Sequence, residues 1–183
     1  MRVVAGVAKG HQLRGPSRLA RPTSGRVRKS LFDLLAGWIA GRTVVDLCAG
    51  IGGLGIEALS RGAAGVVFVD RDPRAARTIR ENLTRCRLAD RGEVWCLDAV
   101  RALHRLAAQG RRLDLILADP PYGSPVVETI LRTVGRLSLL TADGFLIIEH
   151  SRRMPLSVEA PPGLAITLTR TVGDSALTVY RSP

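Results

Sequence analysis

Five runs rich in branched apolar residues alternate with helix-like stretches from residue 43 onward, and this rhythm constrains the fold more than any other feature. Short apolar runs predict buried strands, and the amphipathic stretches between them predict crossover helices. Strands linked in this way form a parallel sheet with helices on both faces. The predicted strands span 43–48, 65–70, 93–97, 113–118 and 144–149, and the predicted helices span 54–61, 73–86, 100–109 and 125–138.

The pattern changes beyond residue 150, where three prolines exclude a long helix. Two strand-like runs follow, at 165–171 and 175–181, with Gly173 and Asp174 between them. A pair of strands joined by such a short turn predicts a hairpin, so at least one strand runs antiparallel to the rest. We therefore predict an α/β fold with a mostly parallel seven-stranded sheet and a C-terminal antiparallel hairpin.

The N-terminal part of the chain differs from the rest in charge. Residues 1–43 hold nine basic side chains and one acid, whereas the other 140 residues hold 18 basic and 15 acidic groups. A basic head on a nearly neutral body predicts contact with a polyanion. The candidate residues for this contact are Lys9, His11, Arg14, Arg21, Arg26, Arg28 and Lys29.

Local patterns divide the chain into an N-terminal extension, 1–42, and a main domain, 43–183. The extension is predicted to contain a short β-hairpin around Gly6 to Gly10 and an amphipathic helix over 25–38. In that helix Arg26, Arg28 and Lys29 are expected to face outward, because the following leucine and phenylalanine residues form an apolar side.

A glycine-rich segment follows the first predicted strand, where Gly50, Gly52 and Gly55 allow a sharp turn and a close approach to a ligand. This spacing alone also suits a nicotinamide dinucleotide. Two acids favour a different ligand. Asp46 would repel a pyrophosphate but suits an ammonium group, and Asp70 closes the second strand, where a ribose-hydroxyl acceptor is expected. Both acids fit S-adenosylmethionine, which has a ribose and an aminoacyl group but no phosphate.

Further candidate cofactor residues lie at the ends of other strands. Asp98 either meets the adenine amine or caps the next helix, and the sequence leaves both roles open. Cys48 is interpreted as a small residue beside the cofactor, because no basic partner in its motif would activate the thiol. Histidine and cysteine spacing indicates no metal site. The candidate cofactor-binding residues are Asp46, Cys48, Ala49, Gly50, Gly52, Gly55, Asp70, Arg71, Asp98, Ala99 and Asp119.

The segment Asp119-Pro120-Pro121-Tyr122 ends the fourth predicted strand and is the candidate catalytic motif. Two prolines make the turn rigid and remove two N–H donors, so the Asp119 carboxylate and the Pro120 carbonyl form a set of acceptors. Such acceptors can hold the two hydrogens of an exocyclic base amine, and Tyr122 supplies a ring for stacking. The alternative is a structural turn with a core aromatic residue.

Several segments together match one known family. They are 1–6, Arg21-Pro22-Thr23, Arg26-Val27-Arg28, Leu31-Phe32, 46–55, 57–61 and 119–122. On these residues the chain resembles the bacterial 16S ribosomal RNA guanine-N2 methyltransferases, the small-subunit rRNA methyltransferase D type. The Arg-Pro-Thr and Arg-Val-Arg segments are specific to the family, whereas the glycine loop and Asp-Pro-Pro-Tyr also occur in other amine methyltransferases.

The resemblance implies a class I, Rossmann-like methyltransferase fold that uses S-adenosylmethionine, with an N-terminal extension that grips RNA. It implies guanine N2 as the target and 16S rRNA, within the small ribosomal subunit or an assembly intermediate, as the partner. Lys29 departs from the family, which commonly has Glu there, and this change increases the expected affinity for phosphate.

Other functions remain as alternatives at this level. A DNA adenine-N6 or cytosine-N4 methyltransferase shares the chemistry but needs a domain to read duplex sequence, for which 183 residues leave little room. A protein-glutamine methyltransferase usually has Asn in place of Asp119. A non-catalytic RNA-binding assembly factor and a nicotinamide oxidoreductase are further alternatives. No apolar run suits a membrane span or a secretory signal, so we expect a cytoplasmic monomer.

Overall fold

The computed structural model describes residues 1–15, 25–156 and 160–182. Seven strands form one sheet: β1 Thr43–Leu47, β2 Gly65–Asp70, β3 Gly92–Cys96, β4 Leu113–Ala118, β5 Leu140–Ser151, β6 Ala165–Val172 and β7 Ser175–Arg181. Their order in the sheet is β3-β2-β1-β4-β5-β7-β6. Among these strands, β7 runs antiparallel to both of its neighbours, and the other pairings are parallel. The predicted seven-stranded α/β sheet with a C-terminal hairpin is confirmed.

Helices cover both faces of this sheet. They are α1 Gly25–Leu34, α2 Gly53–Ser60, α3 Pro73–Arg85, α4 Ala99–Ala108 and α5 Val126–Leu137, with a short 3-10 helix at Ala89–Arg91. One apolar cluster joins the N-terminal extension, α1, α2 and α3 to one face, and a second joins α4 and α5 to the other. Strands β1, β2 and β4 are therefore buried on both sides, which explains their nearly continuous apolar runs.

The fifth strand is longer than its sequence pattern predicts. It begins at Leu140, which pairs with Leu113, and the register shifts before Leu115 pairs with Phe145. This irregularity accommodates the polar residues that follow Leu140, which the sequence pattern suggests as a turn. The predicted start at residue 144 was wrong because a β-bulge lets the strand continue through a segment with turn-like composition.

The N-terminal segment that was predicted as a short hairpin pairs its ends antiparallel, through a bridge between Arg2 and Gln12 and backbone hydrogen bonds that join Val3 to Gly10 and to His11. The N–H groups of Val4 and Ala5 donate to the carboxylate of Glu57 instead of to a second strand. The N–H of Ala8 donates to the hydroxyl of Ser60. Side chains of α2 thus satisfy backbone groups that lie between the paired ends.

Helix α1 ends at Leu34, four residues before the predicted end. Gly37 has a positive φ of 75°, and the chain continues through turns after the helix. Val3, Leu13, Leu31 and Phe32 belong to the same core cluster as α2 and α3. The N-terminal extension therefore shares a core with the main domain, and the boundary at residue 42 stays a prediction.

The order of the strands locates the candidate functional site. The chain passes from β1 outward to β2 and β3, and then returns to the other side of β1 to form β4. Open α/β sheets bind ligands in the crevice that such a reversal leaves at the carboxyl ends of the strands. In the described part of the chain, none of the helices has the length and apolar character that a membrane crossing requires.

Candidate active site

A cavity of about 420 Å³ opens at the carboxyl ends of the strands, within the roughly 300–1,000 Å³ range of small-molecule sites. Its walls come from the carboxyl ends of β1 and β2, from the loops after β1, β2, β3 and β4 and the first residues of the helices that follow, and from Met1. The lining residues are Met1, Asp46, Cys48, Ala49, Gly50, Ile51, Gly53, Leu54, Val69, Asp70, Arg71, Leu97, Asp98, Ala99, Asp119, Pro120, Pro121, Ser124 and Val126. Nine of the eleven predicted cofactor residues are among them.

The two exceptions, Gly52 and Gly55, shape the loop without lining the cavity. Gly52 adopts a left-handed conformation with φ 82° and is the N-cap of α2. A Cβ on Gly55 would lie 2.3 Å from Cε1 of Phe68 in β2, so any side chain there would force α2 away from the sheet. These glycines set the turn and the helix packing that bring Gly50 to the cavity wall.

Asp70 joins the glycine loop to the end of β2. Its Oδ2 accepts a hydrogen bond from the N–H of Gly50 at 2.9 Å, and its Oδ1 accepts one from the N–H of Asp72 at 2.9 Å. Each carboxylate oxygen has a second lone pair, so Asp70 retains acceptor capacity toward the cavity. The same side chain therefore holds the loop and offers acceptors to a ligand hydroxyl.

Of the two roles that the sequence left open for Asp98, the structure shows the helix cap, and contact with adenine stays a prediction. It is the N-cap of α4, with Oδ1 accepting from the N–H groups of Val100 and Arg101. It also lines the cavity. The cap uses one carboxylate oxygen, and the second oxygen is available to orient toward a ligand amine.

Asp46 is the most deeply buried acid of the site, with 1% of its surface exposed. Its Oδ2 accepts a hydrogen bond from the N–H of Gly55 at 2.8 Å. Burial raises the pKa of this carboxyl to about 7, because desolvation outweighs the hydrogen bond from Gly55 and the charges of Asp119 and Asp70 add to it. A cationic ligand would lower this pKa by favouring the ionised form.

The thiol of Cys48 is not activated. Burial raises its pKa to about 12, and the negative charges of Asp70, Asp46, Asp119 and Asp98 act in the same direction. The thiolate is the nucleophilic form of cysteine, so this side chain stays a neutral part of the wall. Cys48 therefore lies in the cavity wall as a small uncharged residue, and its contact with a cofactor stays a prediction.

The candidate catalytic motif divides between two environments. Asp119, Pro120 and Pro121 line the cavity next to the glycine loop, as predicted from the end of β4. Tyr122 is half-buried beside them, and its hydroxyl lies 2.7 Å from Oγ of Ser175. The motif therefore contacts the cavity through its acid and prolines, and the C-terminal hairpin through its tyrosine.

The basic candidates of the N-terminal extension are not equivalent. Arg28 is buried, with 4% exposure, and its Nη2 donates to the carbonyl of Arg2 at 2.8 Å. Its Nε lies 3.9 Å from Glu57, which explains why an outward-facing prediction based on helical periodicity was wrong. Lys9, His11, Arg14, Arg26 and Lys29 are exposed, and Arg21 lies outside the described residues.

Several residues of the site had not been identified from the sequence. Ser124 and Val126 line the cavity after the Asp-Pro-Pro-Tyr motif, and Ile51 and Leu54 supply apolar wall around the glycine loop. Their position within three or four residues of a recognised motif was the available signal. Met1 had no such signal, because the fold of the extension alone brings it to the cavity.

A family model described as conserved hypothetical protein 95 matches residues 1–181. A Bacillus subtilis protein, whose name proposes an rRNA methyltransferase, is 37% identical over 99% of this chain and 98% of its own length. The chain belongs to the family that this model describes, conserved hypothetical protein 95. An Escherichia coli relative named ribosomal RNA small subunit methyltransferase D is 28% identical over 99% of this chain and 89% of its own length.

Structural similarity agrees with this assignment. A solved Escherichia coli structure, whose name proposes a methyltransferase, matches with a TM-score of 0.85 at 27% identity, covering 100% of this chain and 97% of that chain. The fold is the class I, Rossmann-like fold of S-adenosylmethionine-dependent methyltransferases, as the sequence predicted. The protein is a methyltransferase, and its cofactor is S-adenosyl-L-methionine.

The residues of the cavity fit this cofactor. Among the described lining residues, four are carboxylates, and Arg71 is the basic one. Carboxylates suit the sulfonium, the ammonium and the ribose hydroxyls of S-adenosylmethionine, whereas a pyrophosphate would be repelled. Apolar residues such as Val69 and Leu97 suit the adenine ring. When bound, the cofactor supplies an electrophilic methyl group.

The raised pKa of Asp46 predicts a pH-dependent affinity for the cofactor. A window from about pH 5.5 to about pH 7.5 includes the pKa of Asp46. As pH rises through this window, Asp46 ionises and the cavity gains a negative charge. The dissociation constant of S-adenosylmethionine should therefore fall with rising pH, by up to roughly tenfold per unit below the pKa. Isothermal titration calorimetry on the RNA-free protein measures this trend.

Asp46→Asn is the matched variant, because its amide oxygen still accepts from the N–H of Gly55 but does not titrate. The variant should bind more weakly at the upper end of this pH window and show a flatter profile. A wild-type affinity that does not change across the window, or an equal slope in both proteins, would contradict the assignment of the titration to Asp46.

Proposed function

We propose that the protein transfers the methyl group of S-adenosylmethionine to the exocyclic N2 amine of one guanine in 16S rRNA of the small ribosomal subunit. One observation carries this proposal: Asp119, Pro120 and Pro121 line the same cavity as the acids of the cofactor site. An amine held by this motif lies beside the methyl donor. The names of the relatives support rRNA as the substrate class.

Within this proposal each acid of the cofactor site binds a different part of S-adenosylmethionine. Asp70, at the end of β2, accepts hydrogen bonds from the ribose hydroxyls, and Asp98 accepts one from the adenine amine. Asp46 and the backbone around Gly50 face the aminoacyl end. This assignment follows the order of the strands, because β1, β2 and β3 succeed one another toward one edge of the sheet.

Asp119 and Pro120 orient the target amine. The carboxylate of Asp119 and the carbonyl of Pro120 accept its two N–H groups, which directs the nitrogen lone pair toward the methyl group. The prolines keep the motif rigid, so little conformational entropy is lost when the base enters. A base stacked on the Tyr122 ring gains about 1–3 kcal/mol, which helps to offset its removal from the RNA stack.

The exposed basic residues of the N-terminal extension bind RNA phosphates. Lys9, His11 and Arg14 lie on the segment that packs on α2 and α3, and Arg26 and Lys29 lie on α1. Phosphate contacts position a nucleic acid without reading its sequence. The target guanine must be unpaired or splayed out to reach the cavity. The substrate is thus a loop or junction of the small subunit or of a cytoplasmic assembly intermediate.

Replacing Asp119 with Ala tests the proposed chemistry. The loss of an acceptor for the amine should lower kcat by at least ~100-fold while the protein still binds S-adenosylmethionine. The assay follows transfer of labelled methyl groups to small subunits that lack the modification, with mass spectrometry of the product nucleoside. Asp90→Ala is the control. This exposed carboxylate directly precedes β3 and so lies at the amino ends of the strands, away from the cavity at their carboxyl ends.

Retention of most activity by the Asp119 variant would exclude this role for the carboxylate. A methylated nucleoside other than N2-methylguanosine in the wild-type reaction would instead refute the proposed target atom while leaving methyl transfer intact.

The RNA-binding role predicts different results for neighbouring residues of α1. Replacing Arg26 and Lys29 with Ala should weaken RNA binding and reduce its dependence on salt by about one unit of slope per lost phosphate contact. Arg28→Ala should leave this slope unchanged and lower the free energy of unfolding by about 2 kcal/mol, because its buried hydrogen bond is lost. Filter binding at several salt concentrations and urea unfolding measure the two effects. An unchanged salt slope in the double variant would count against an RNA-binding α1.

A further inference from the structure

Tyr122 is tied to a part of the chain that lies far from it in sequence. Its hydroxyl is 2.7 Å from Oγ of Ser175, the first residue of β7. Asp119, Pro120 and Pro121 of the same motif face the cofactor cavity. The tyrosine ring therefore lies between the cavity side of the motif and the C-terminal hairpin, with its hydroxyl anchored on the hairpin.

Ser175 is itself held by an acid from the neighbouring strand. Strands β5 and β7 pair Glu149 with Leu177 and Ser151 with Ser175, so Glu149 and Ser175 are diagonal neighbours on one face of the sheet. Oγ of Ser175 donates to Oε1 of Glu149 at 2.9 Å. Both residues are buried, with 4% of Glu149 and 8% of Ser175 exposed.

The chemistry of the three groups fixes the direction of their hydrogen bonds. A carboxylate only accepts, so the single hydroxyl proton of Ser175 points to Glu149. The oxygen of Ser175 then accepts from the hydroxyl of Tyr122, which acts as the donor. The chain of bonds runs from Tyr122 through Ser175 to Glu149, and bonds that end on a charged acceptor are stronger than neutral ones.

The burial of the Glu149 carboxylate is unfavourable for folding, yet the protein has an acid at this position. Taking a carboxylate out of water is unfavourable unless hydrogen bonds compensate, and an apolar residue at this position of β5 would avoid the cost. The compensation from Ser175 leads directly to the ring of Tyr122. The two hydrogen bonds link the three side chains in series and restrict the geometry of the Tyr122 hydroxyl.

We propose that Ser175, oriented by Glu149, is a positioning residue that fixes the ring of Tyr122 as a stacking surface for the target base. This inference rests on the proposed function and extends the active site to the C-terminal hairpin. A ring that is fixed before the base arrives loses no freedom when stacking occurs, so the hydrogen bond contributes to the correct placement of the amine.

Steady-state kinetics on small-subunit substrate separate positioning from binding. Ser175→Ala should lower kcat by about tenfold, while KM for the particle changes by less than about twofold, because phosphate contacts determine that binding. Ser175→Thr retains a hydroxyl and should recover most of the lost rate. Thr171→Ala removes an exposed hydroxyl from β6 of the same hairpin and is the matched control.

A double-mutant cycle tests whether Ser175 acts through Tyr122. Tyr122→Phe keeps the ring but removes the hydroxyl, so it should lower kcat by about as much as Ser175→Ala. The double variant should be no slower than either single variant. Losses that multiply in the double variant would show that Ser175 acts by another route and would overturn the proposal.

A second measurement does not depend on activity. The chain contains two tyrosines, Tyr122 and the buried Tyr180, so NMR of ring-labelled tyrosine gives two sets of signals that Tyr122→Phe assigns. Ser175→Ala should increase the mobility of the Tyr122 ring and leave the Tyr180 signals in place. A wild-type kcat together with unchanged Tyr122 signals in Ser175→Ala would overturn the proposal. Failure of the wild-type protein to methylate the particle would overturn the proposed function instead.

Discussion

The carboxyl ends of β1 and β4 lie side by side in the sheet, and the functional features of the molecule depend on the crevice between them. Strand β1 carries the buried carboxylate of Asp46 near its end and leads into the glycine loop, and the loop after β4 carries Asp119 and two prolines. Right-handed crossovers and the reversal in strand order make this adjacency a consequence of topology. A methyl donor bound by the first loop is therefore next to an amine bound by the second.

Charge divides the molecule into two regions. The charged side chains that line the cavity are mainly carboxylates, which attract a cationic cofactor and repel phosphates. The exposed basic residues of the N-terminal extension have the opposite preference. Under the proposed function, the RNA backbone is held by the extension, and an uncharged base is the part of the RNA that enters the cavity. Arg28 and Glu57 connect the two regions, because they hold the extension on α2.

The sequence was sufficient for features that depend on local pattern. Apolar runs located the strands, and the ends of the strands located Asp46, Asp70 and Asp119, since parallel strands bring their carboxyl ends to one edge. The capping role left open for Asp98 was also readable, because Asp98 precedes the helix that it caps.

Features that depend on contacts between distant segments were not predictable. Helical periodicity placed Arg28 outside, and only the position of Glu57 on α2 shows that it is buried. The docking of the N-terminal segment on α2 was not predictable for the same reason, since side chains of α2 bind its backbone. Ser175 lies 53 residues from Tyr122, and nothing in the local sequence links them.

The account can be tested most directly by mass mapping of the modified nucleosides of 16S rRNA from matched cells with and without this protein. It predicts that one N2-methylguanosine disappears when the protein is absent, and that the wild-type protein restores it. An identical set of N2-methylguanosines in both cell lines would contradict the proposed reaction.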